Sequence, residues 1–254
     1  MRIALFSDIH ANIDALEPVL EDIYKRSPDA VYCLGDLVGY APYPNEVIQT
    51  IRAKGIPVIA GNYDQGVGLN SDDCGCAYKT DEDKARGEES IAYTNEIITD
   101  ENRAYLRSLP AHLRIEFGVN TEPYHVLLVH GSPRKINEYL FEDRTDKSML
   151  QMMEKANAHI MVFGHTHIPY HKKLEDSDGN FWHAINIGAV GKPKDGDPRA
   201  CYVMFEWDGD LDLADPEAPS VEYIRVEYDV EKAANAVEES PLPDAFADML
   251  RNGG

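Results

Sequence analysis

The sequence predicts a single-domain α/β protein, and three observations lead there. Short apolar runs alternate with helix-spaced segments through the first hundred residues, the pattern of βαβ units and a parallel sheet. The apolar runs of the last hundred residues follow one another without long helices, which favours antiparallel pairing. No repeat, low-complexity tract or linker divides the 254 residues, so one domain over 1–254 is expected.

Taken in order, residues 3–6 form an apolar run of strand length that ends at Ser7-Asp8. Ile13, Leu16, Val19, Leu20 and Ile23 keep a helical spacing over 12–25. A second strand over 30–34 ends at Gly35-Asp36, and Pro44 suits the first turn of a helix running through Val47, Ile48 and Ile51. A third strand, 58–60, ends at Gly61-Asn62. Residues 70–90, polar and poor in apolar groups, are expected to form a candidate active-site loop, followed by a helix near 88–107. Strands at 126–129 and 159–163 flank a helix near 146–156. Further strands fall at 168–174, 181–187, 200–207 and 221–228, joined by turns such as Asp208-Gly209-Asp210. Residues 230–254 read as a helical tail interrupted by Pro241 and Pro243.

Charge narrows the function. The chain carries 45 Asp+Glu against 24 Lys+Arg, a net −21, while its 43% hydrophobic residues suffice for a core. A pI near 4.7 argues against a sequence-independent grip on nucleic acid and against an anionic membrane surface, since both need Lys and Arg. A phosphate-bearing substrate would need a local positive charge that the bulk composition lacks. Four cysteines are too few for a disulfide scaffold. The first residues resemble neither a signal peptide nor a membrane span, so a cytoplasmic setting is expected.

The polar residues collect where strands end. Asp8-Ile9-His10, Gly35-Asp36, Gly61-Asn62-Tyr63-Asp64, His130-Gly131 and Gly164-His165-Thr166-His167 each follow an apolar run. In an open α/β sheet, ligands bind at the carboxyl ends of the strands. Imidazoles, carboxylates and one amide oxygen suit divalent first-row metals. Seven donors are too many for one catalytic ion and suit two if a carboxylate bridges. The glycines beside them are expected to turn the backbone sharply. His112, His125, His159, His171 and His183 lack this context and read as surface or core residues.

These segments resemble the calcineurin-like metallophosphoesterases, whose signature runs Asp-x-His, Gly-Asp, Gly-Asn-His-Asp, His and Gly-His-x-His. The likeness spans residues 3 to about 205 and is similar to a branch of small prokaryotic phosphodiesterases. It implies a two-sheet β-sandwich flanked by helices in four layers. It also implies two divalent ions (Mn, Fe, Zn or Ni). One would be held by Asp8, His10, His167 and Asp36, the other by Asp36, Asn62, His130 and His165, with Asp36 as the bridge. The implied reaction is in-line attack on phosphorus by a hydroxide held between the ions, with Asp36, Asn62, Tyr63 and Asp64 in the catalytic set.

One position departs from the signature. Tyr63 stands where the family has a histidine thought to protonate the leaving group, while Asp64 is kept. A positioned acid contributes about 10²–10⁴-fold, and a phenol near pKa ~10 is a poor one. The loss hurts least when the leaving group is already stable, so diesters or phosphoanhydrides with good leaving groups are expected. The partner is then a small phosphorylated molecule, nucleotides included. Two alternatives stay open: a phosphomonoesterase or protein phosphatase, and an interaction scaffold on the same fold. Asn12 reads as a helix cap or a substrate contact, and Tyr40 and Tyr43 as stacking or packing groups. Arg134 and Arg199 are candidate phosphate contacts. Cys74-Gly75-Cys76 reads as two ordinary thiols near the mouth of the site.

Overall fold

The structure, a computed structural model, describes residues 1–117, 124–207 and 212–254. It begins as the apolar spacing requires: strand β1 (Arg2–Phe6), helix α1 (Ile13–Lys25), strand β2 (Ala30–Cys33) and helix α2 (Pro44–Ala53). Helices α3 (Asn62–Gly68), α4 (Asp81–Ile97) and α5 (Asp100–Ser108) follow, then strands β3 (His112–Phe117) and β4 (Tyr124–Val129). Helix α6 (Asp146–Lys155) leads to strands β5 (Ile160–Phe163), β6 (Tyr170–Glu175), β7 (Phe181–Asn186), β8 (Ala200–Glu206) and β9 (Ser220–Val226). Helices α7 (Val230–Glu238) and α8 (Ala245–Asn252) form the tail.

The strands make two mixed sheets, ordered β2-β1-β8-β9 and β3-β4-β5-β7-β6. Alternation along each strand decides which layer each side chain joins. Ile3 and Leu5 of β1 face Val126, Leu128, Ile160 and Val162 of the other sheet, and this is the interior of the sandwich. Ala4 and Phe6 point the other way, into a core shared with α1, α2 and α3. Leu127, Val129, Met161 and Phe163 turn outward under α6. The result is the expected helix–sheet–sheet–helix stack, with α7 and α8 packed on Ala11 and Ala41 beside it. β1 and β2 are parallel, as are β4, β5 and β7. Their carboxyl ends therefore meet along one edge. Among the described residues no helix is long and apolar enough to cross a membrane.

Several local expectations need correction. The run 58–60 makes only a single parallel bridge, Cys33 to Val58, because the chain turns at once into α3. The predicted loop is shorter than 70–90: Thr80 caps α4, whose side chain accepts the Asp83 N–H. That helix buries only Gly87, Ser90, Ile91 and Thr94, so it lacks the apolar stripe that reveals a helix in sequence. The helix expected near 88–107 is two helices, broken where Thr99 caps α5. β3 was not foreseen; it is an edge strand antiparallel to β4, with His112, Arg114 and Glu116 exposed. Antiparallel pairing holds for β6–β7 and β8–β9, whereas β7 also runs parallel to β5. The turn expected at Asp208-Gly209-Asp210 lies outside the described residues.

Candidate metal centre

Five of the seven candidate ligands sit in left-handed backbone conformations: Asp8 (φ 55), His10 (49), Asp36 (54), His165 (65) and His167 (62). L-residues avoid this region at about 1–2 kcal/mol each, and such strain persists only where the surroundings over-determine it. Here loops zip together. The Asp8, His10 and Ala11 N–H groups donate to the carbonyls of Gly35, Asp36 and Leu37 at 3.0, 2.9 and 2.8 Å. The sharp turns are therefore made by the ligands themselves. Of the neighbouring glycines only Gly35 has positive φ (91). Gly61 and Gly164 serve close approach instead: a Cβ there would lie 2.1 Å from Asp36 Oδ1 and 2.4 Å from Asp8 Oδ2, respectively. Beneath this edge, the Asp64 carboxylate accepts the N–H groups of Asp36, Leu37 and Gly61 at 2.8, 2.9 and 2.9 Å.

The side chains form two clusters, Asp8–His10–His167 and Asp36–His130–His165, each with its ligand atoms within 4.8 Å of one another. Three imidazoles are oriented from behind. Nδ1 of His10, His130 and His167 meets the carbonyls of Val38, Leu34 and Lys192 at 3.0, 2.8 and 2.5 Å. A carbonyl can only accept, so Nδ1 carries a proton; Nε2 of His10 and His167 turns a lone pair inward, and Nε2 of His130 does so once its second proton leaves. The inward atoms crowd: His10 Nε2 lies 3.2 Å from His167 Nε2. Two lone pairs at that distance repel unless a cation lies between them. Asp8 Oδ1 and His165 Nε2 are buried with no hydrogen-bond partner, which is costly without a ligand. Asn62 donates its amide to the Cys74 carbonyl and the Cys76 sulfur, leaving Oδ1 toward His130 Nε2 at 3.1 Å. Asp36 Oδ2 stands between the clusters, 3.6 Å from His10 Nε2 and 3.3 Å from His130 Nε2.

Burial sets the protonation of the imidazoles. It pushes His10 down to about 3 and His165 to about 4, and holds His167 well below the ordinary value. These three are neutral and ready to bind a metal at neutral pH. Burial also opposes the charge on His130, but the Asp36 carboxylate outweighs it and raises that imidazole to about 10. Burial pushes the Asp8 carboxyl up, and burial with the neighbouring Asp36 pushes Asp64 up to about 7.

Residues 1–210 match the calcineurin-like phosphoesterase superfamily domain. The chain belongs to that superfamily. It is 35% identical over 262 residues to MJ0912 of Methanocaldococcus jannaschii, an uncharacterized protein, covering 98% of this chain and 96% of that one. The crystal structure of a metallophosphoesterase from Sphaerobacter thermophilus is 30% identical, with a TM-score of 0.73, over 100% of this chain and 99% of the other. The hypothetical protein PH1004 of Pyrococcus horikoshii, at 24% identity, shares the fold with a TM-score of 0.79 over 100% and 98% of the two chains. The protein is thus a calcineurin-like phosphoesterase, a hydrolase of phosphoric esters from a family that usually binds divalent metals.

Within this phosphoesterase, Tyr63 is 1% exposed and packs its ring 5.4 Å from His10 and 4.7 Å from Tyr40. Burial holds its phenol well above the ordinary range. Tyr40 covers the other flank of His10, with ring centroids 4.8 Å apart. Asn12 is held by backbone groups. Its Oδ1 caps α1 at Ala15 N (3.1 Å) and its Nδ2 binds the Gly191 carbonyl (3.0 Å), so both ends of the amide are committed to backbone. Arg134 pairs with Glu138, and Arg199 with Asp197 at 2.7 Å, rather than with either cluster. Tyr43 precedes α2 at its N-cap, without a side-chain cap bond. Cys74 and Cys76 bring their sulfurs to 3.0 Å and position Asn62 from behind.

Sequence reasoning missed three groups. The Leu34, Val38 and Lys192 carbonyls that aim the imidazoles carry no residue-type signal, because every residue has a carbonyl. Tyr139 packs 4.1 Å from the His165 ring from a segment without a periodic pattern. The Lys192 and Lys194 ammonium groups lie close enough to His167 to disfavour its charge, after burial itself. They are the basic groups beside the site that composition alone could not locate, and burial pushes both below the usual lysine value.

Proposed function

We propose that this phosphoesterase hydrolyses diesters or phosphoanhydrides with good leaving groups and uses two divalent cations. Asp8, His10 and His167 would hold one, Asn62, His130 and His165 the other, and Asp36 would serve both. The donor set supports this: unprotonated Nε2 atoms and an orphaned carboxylate oxygen converge on two points. Imidazole and carboxylate suit manganese, iron, zinc and nickel alike. Such cations, when bound, act as Lewis acids toward phosphoryl oxygens and ease the ionisation of water.

The chain's own residues divide the remaining work. Asp64 holds the Asp36 backbone by its N–H groups, which makes it a positioning residue. Tyr63 keeps its proton at neutral pH, so it gives a leaving group little help. That favours small phosphorylated substrates, nucleotides included, whose leaving group is stable unaided. The net charge of −21 speaks against membranes and non-specific nucleic acid as partners, and cysteines left as free thiols suit a reducing, cytoplasmic setting.

The observation that carries the reading is Asp36 Oδ2, 3.6 Å from a histidine of one cluster and 3.3 Å from a histidine of the other. Asp36→Asn tests it, because asparagine tolerates the same left-handed backbone. Manganese-loaded wild-type protein is expected to cleave bis-p-nitrophenyl phosphate faster than p-nitrophenyl phosphate. The variant should bind less metal and lose at least about 10²-fold in turnover. Full metal content with unchanged turnover in Asp36→Asn would remove the shared carboxylate. Faster cleavage of the monoester by wild type would remove the substrate class.

A further inference from the structure

A cavity of about 280 Å³ opens beside the His10–His167 cluster, lined by Tyr40, Lys79, Asp83, Arg86, Lys192 and Lys194. Its charges are unusual for so acidic a chain. Arg86 is committed to Glu82 and Asp83. Lys79, Lys192 and Lys194, by contrast, have no carboxylate within ion-pair distance among the described residues. Arg225 and Arg251, by comparison, are held by Asp195 and Asp197 and by Glu231 and Glu238.

Lys192 is the informative one. The residue is 5% exposed, and its ammonium lies 4.8 Å from the Tyr40 ring centre and 6.0 Å from that of Phe246. Ring faces offset part of the cost of burying a cation, but without a counter-charge burial still pushes this lysine well below its usual value, and an anion beside it would restore the charged form. The cavity shares a wall with the reaction centre. The Lys192 carbonyl fixes His167, and Tyr40, on the cavity wall, packs against His10. Phe246 and Met249 of α8 also line the cavity, and they lie beyond residues 1–210, which match the family domain.

We propose that this cavity is a subsite for an anionic extension of the substrate, namely further phosphate groups beyond the one that reacts, so that oligophosphates are preferred over simple diesters. The proposal rests on the phosphoesterase reading above. Lysines act as point charges that suit several phosphate oxygens without fixing one geometry. Three of them together provide the attraction that a net charge of −21 otherwise denies to such a substrate.

Titration calorimetry of inorganic tripolyphosphate into metal-free protein tests the subsite apart from catalysis. Wild type should bind. Lys79→Glu and Lys192→Met should each weaken binding by about tenfold or more, the scale of one charged contact to phosphate. Lys192→Met keeps the carbonyl that holds His167. Lys147→Glu, an exposed site on α6, makes the same charge change as Lys79→Glu at a distance and should leave binding within about twofold. No binding to wild type, or equal weakening by Lys147→Glu, would overturn the subsite. Binding with the expected pattern, in a protein whose manganese-loaded form cleaves no diester, would keep the subsite and overturn the diesterase reading instead.

Discussion

Tyr63 is buried, its hydroxyl makes no well-formed hydrogen bond, and its proton is held well above the ordinary phenol range. It cannot stand in for the histidine of the family signature as an acid. It does act as a packing residue, pressed by Gly39, whose added Cβ would lie 2.4 Å from the ring. Tyr63→His should then raise monoester turnover relative to diester turnover by about tenfold or more, since a positioned acid matters most for a poor leaving group. Steady-state rates on the two nitrophenyl esters measure that ratio, and equal changes in both would remove the argument. At this scale the candidate ligands were legible in the sequence because the chemistry resides in side-chain type: Asp, Asn and His after apolar runs. Their left-handed backbones and the carbonyls that aim them were not. Neither depends on which residue is present, only on how two loops zip together.

Loops meeting across two sheets give the site its rigidity. His130, after β4, reaches the Leu34 carbonyl after β2, and the His165 N–H, after β5, donates to Asp8 after β1 at 3.1 Å. Such contacts leave no room for a side chain at Gly61. Gly61→Ala would put a Cβ 2.1 Å from Asp36 Oδ1 and 2.3 Å from its amide nitrogen. The expected cost is about 1–3 kcal/mol of stability, typical of overpacking, together with a loss of bound metal as Asp36 shifts. Gly55→Ala is the control: φ is +64 but nothing lies within 4 Å, so backbone strain alone applies and metal content should hold. Thermal melts and metal analysis of the two variants separate these effects, and normal metal content in Gly61→Ala would contradict the close approach. Elements were legible in sequence to the extent that they bury an apolar pattern. β1, β4 and β5 are buried nearly throughout and read as continuous runs. α4 buries small polar residues and β3 lies at an edge, so neither announces itself.

Across the whole molecule, histidine burial sets the response to acid. Burial lowers His10 to about 3 and His165, His171 and His183 to about 4, with His167 also well down. Unfolded imidazoles titrate near 6.5. Between pH 6.5 and 4 the unfolded chain therefore takes up five protons that the metal-free fold refuses, and stability falls with pH. His130 does not offset this. Its folded value of about 10 adds stability that is complete below 6.5 and is lost only as pH rises toward 10. Two carboxyls act in the opposite sense, since Asp64 is raised to about 7 and Asp8 is raised as well. Five imidazoles outnumber these two carboxyls, so the net effect is a loss of stability as the pH falls through this interval. Mutual repulsion of the −21 net charge would mask the trend, because acid relieves it. At about 1 M KCl the Debye length shrinks to about 3 Å and that repulsion is screened. Urea unfolding of metal-free protein in 1 M KCl should show the midpoint dropping steeply from pH 6.5 to 4.5. A midpoint that stays level or rises over that interval would mean that the five imidazoles are not held neutral by the fold.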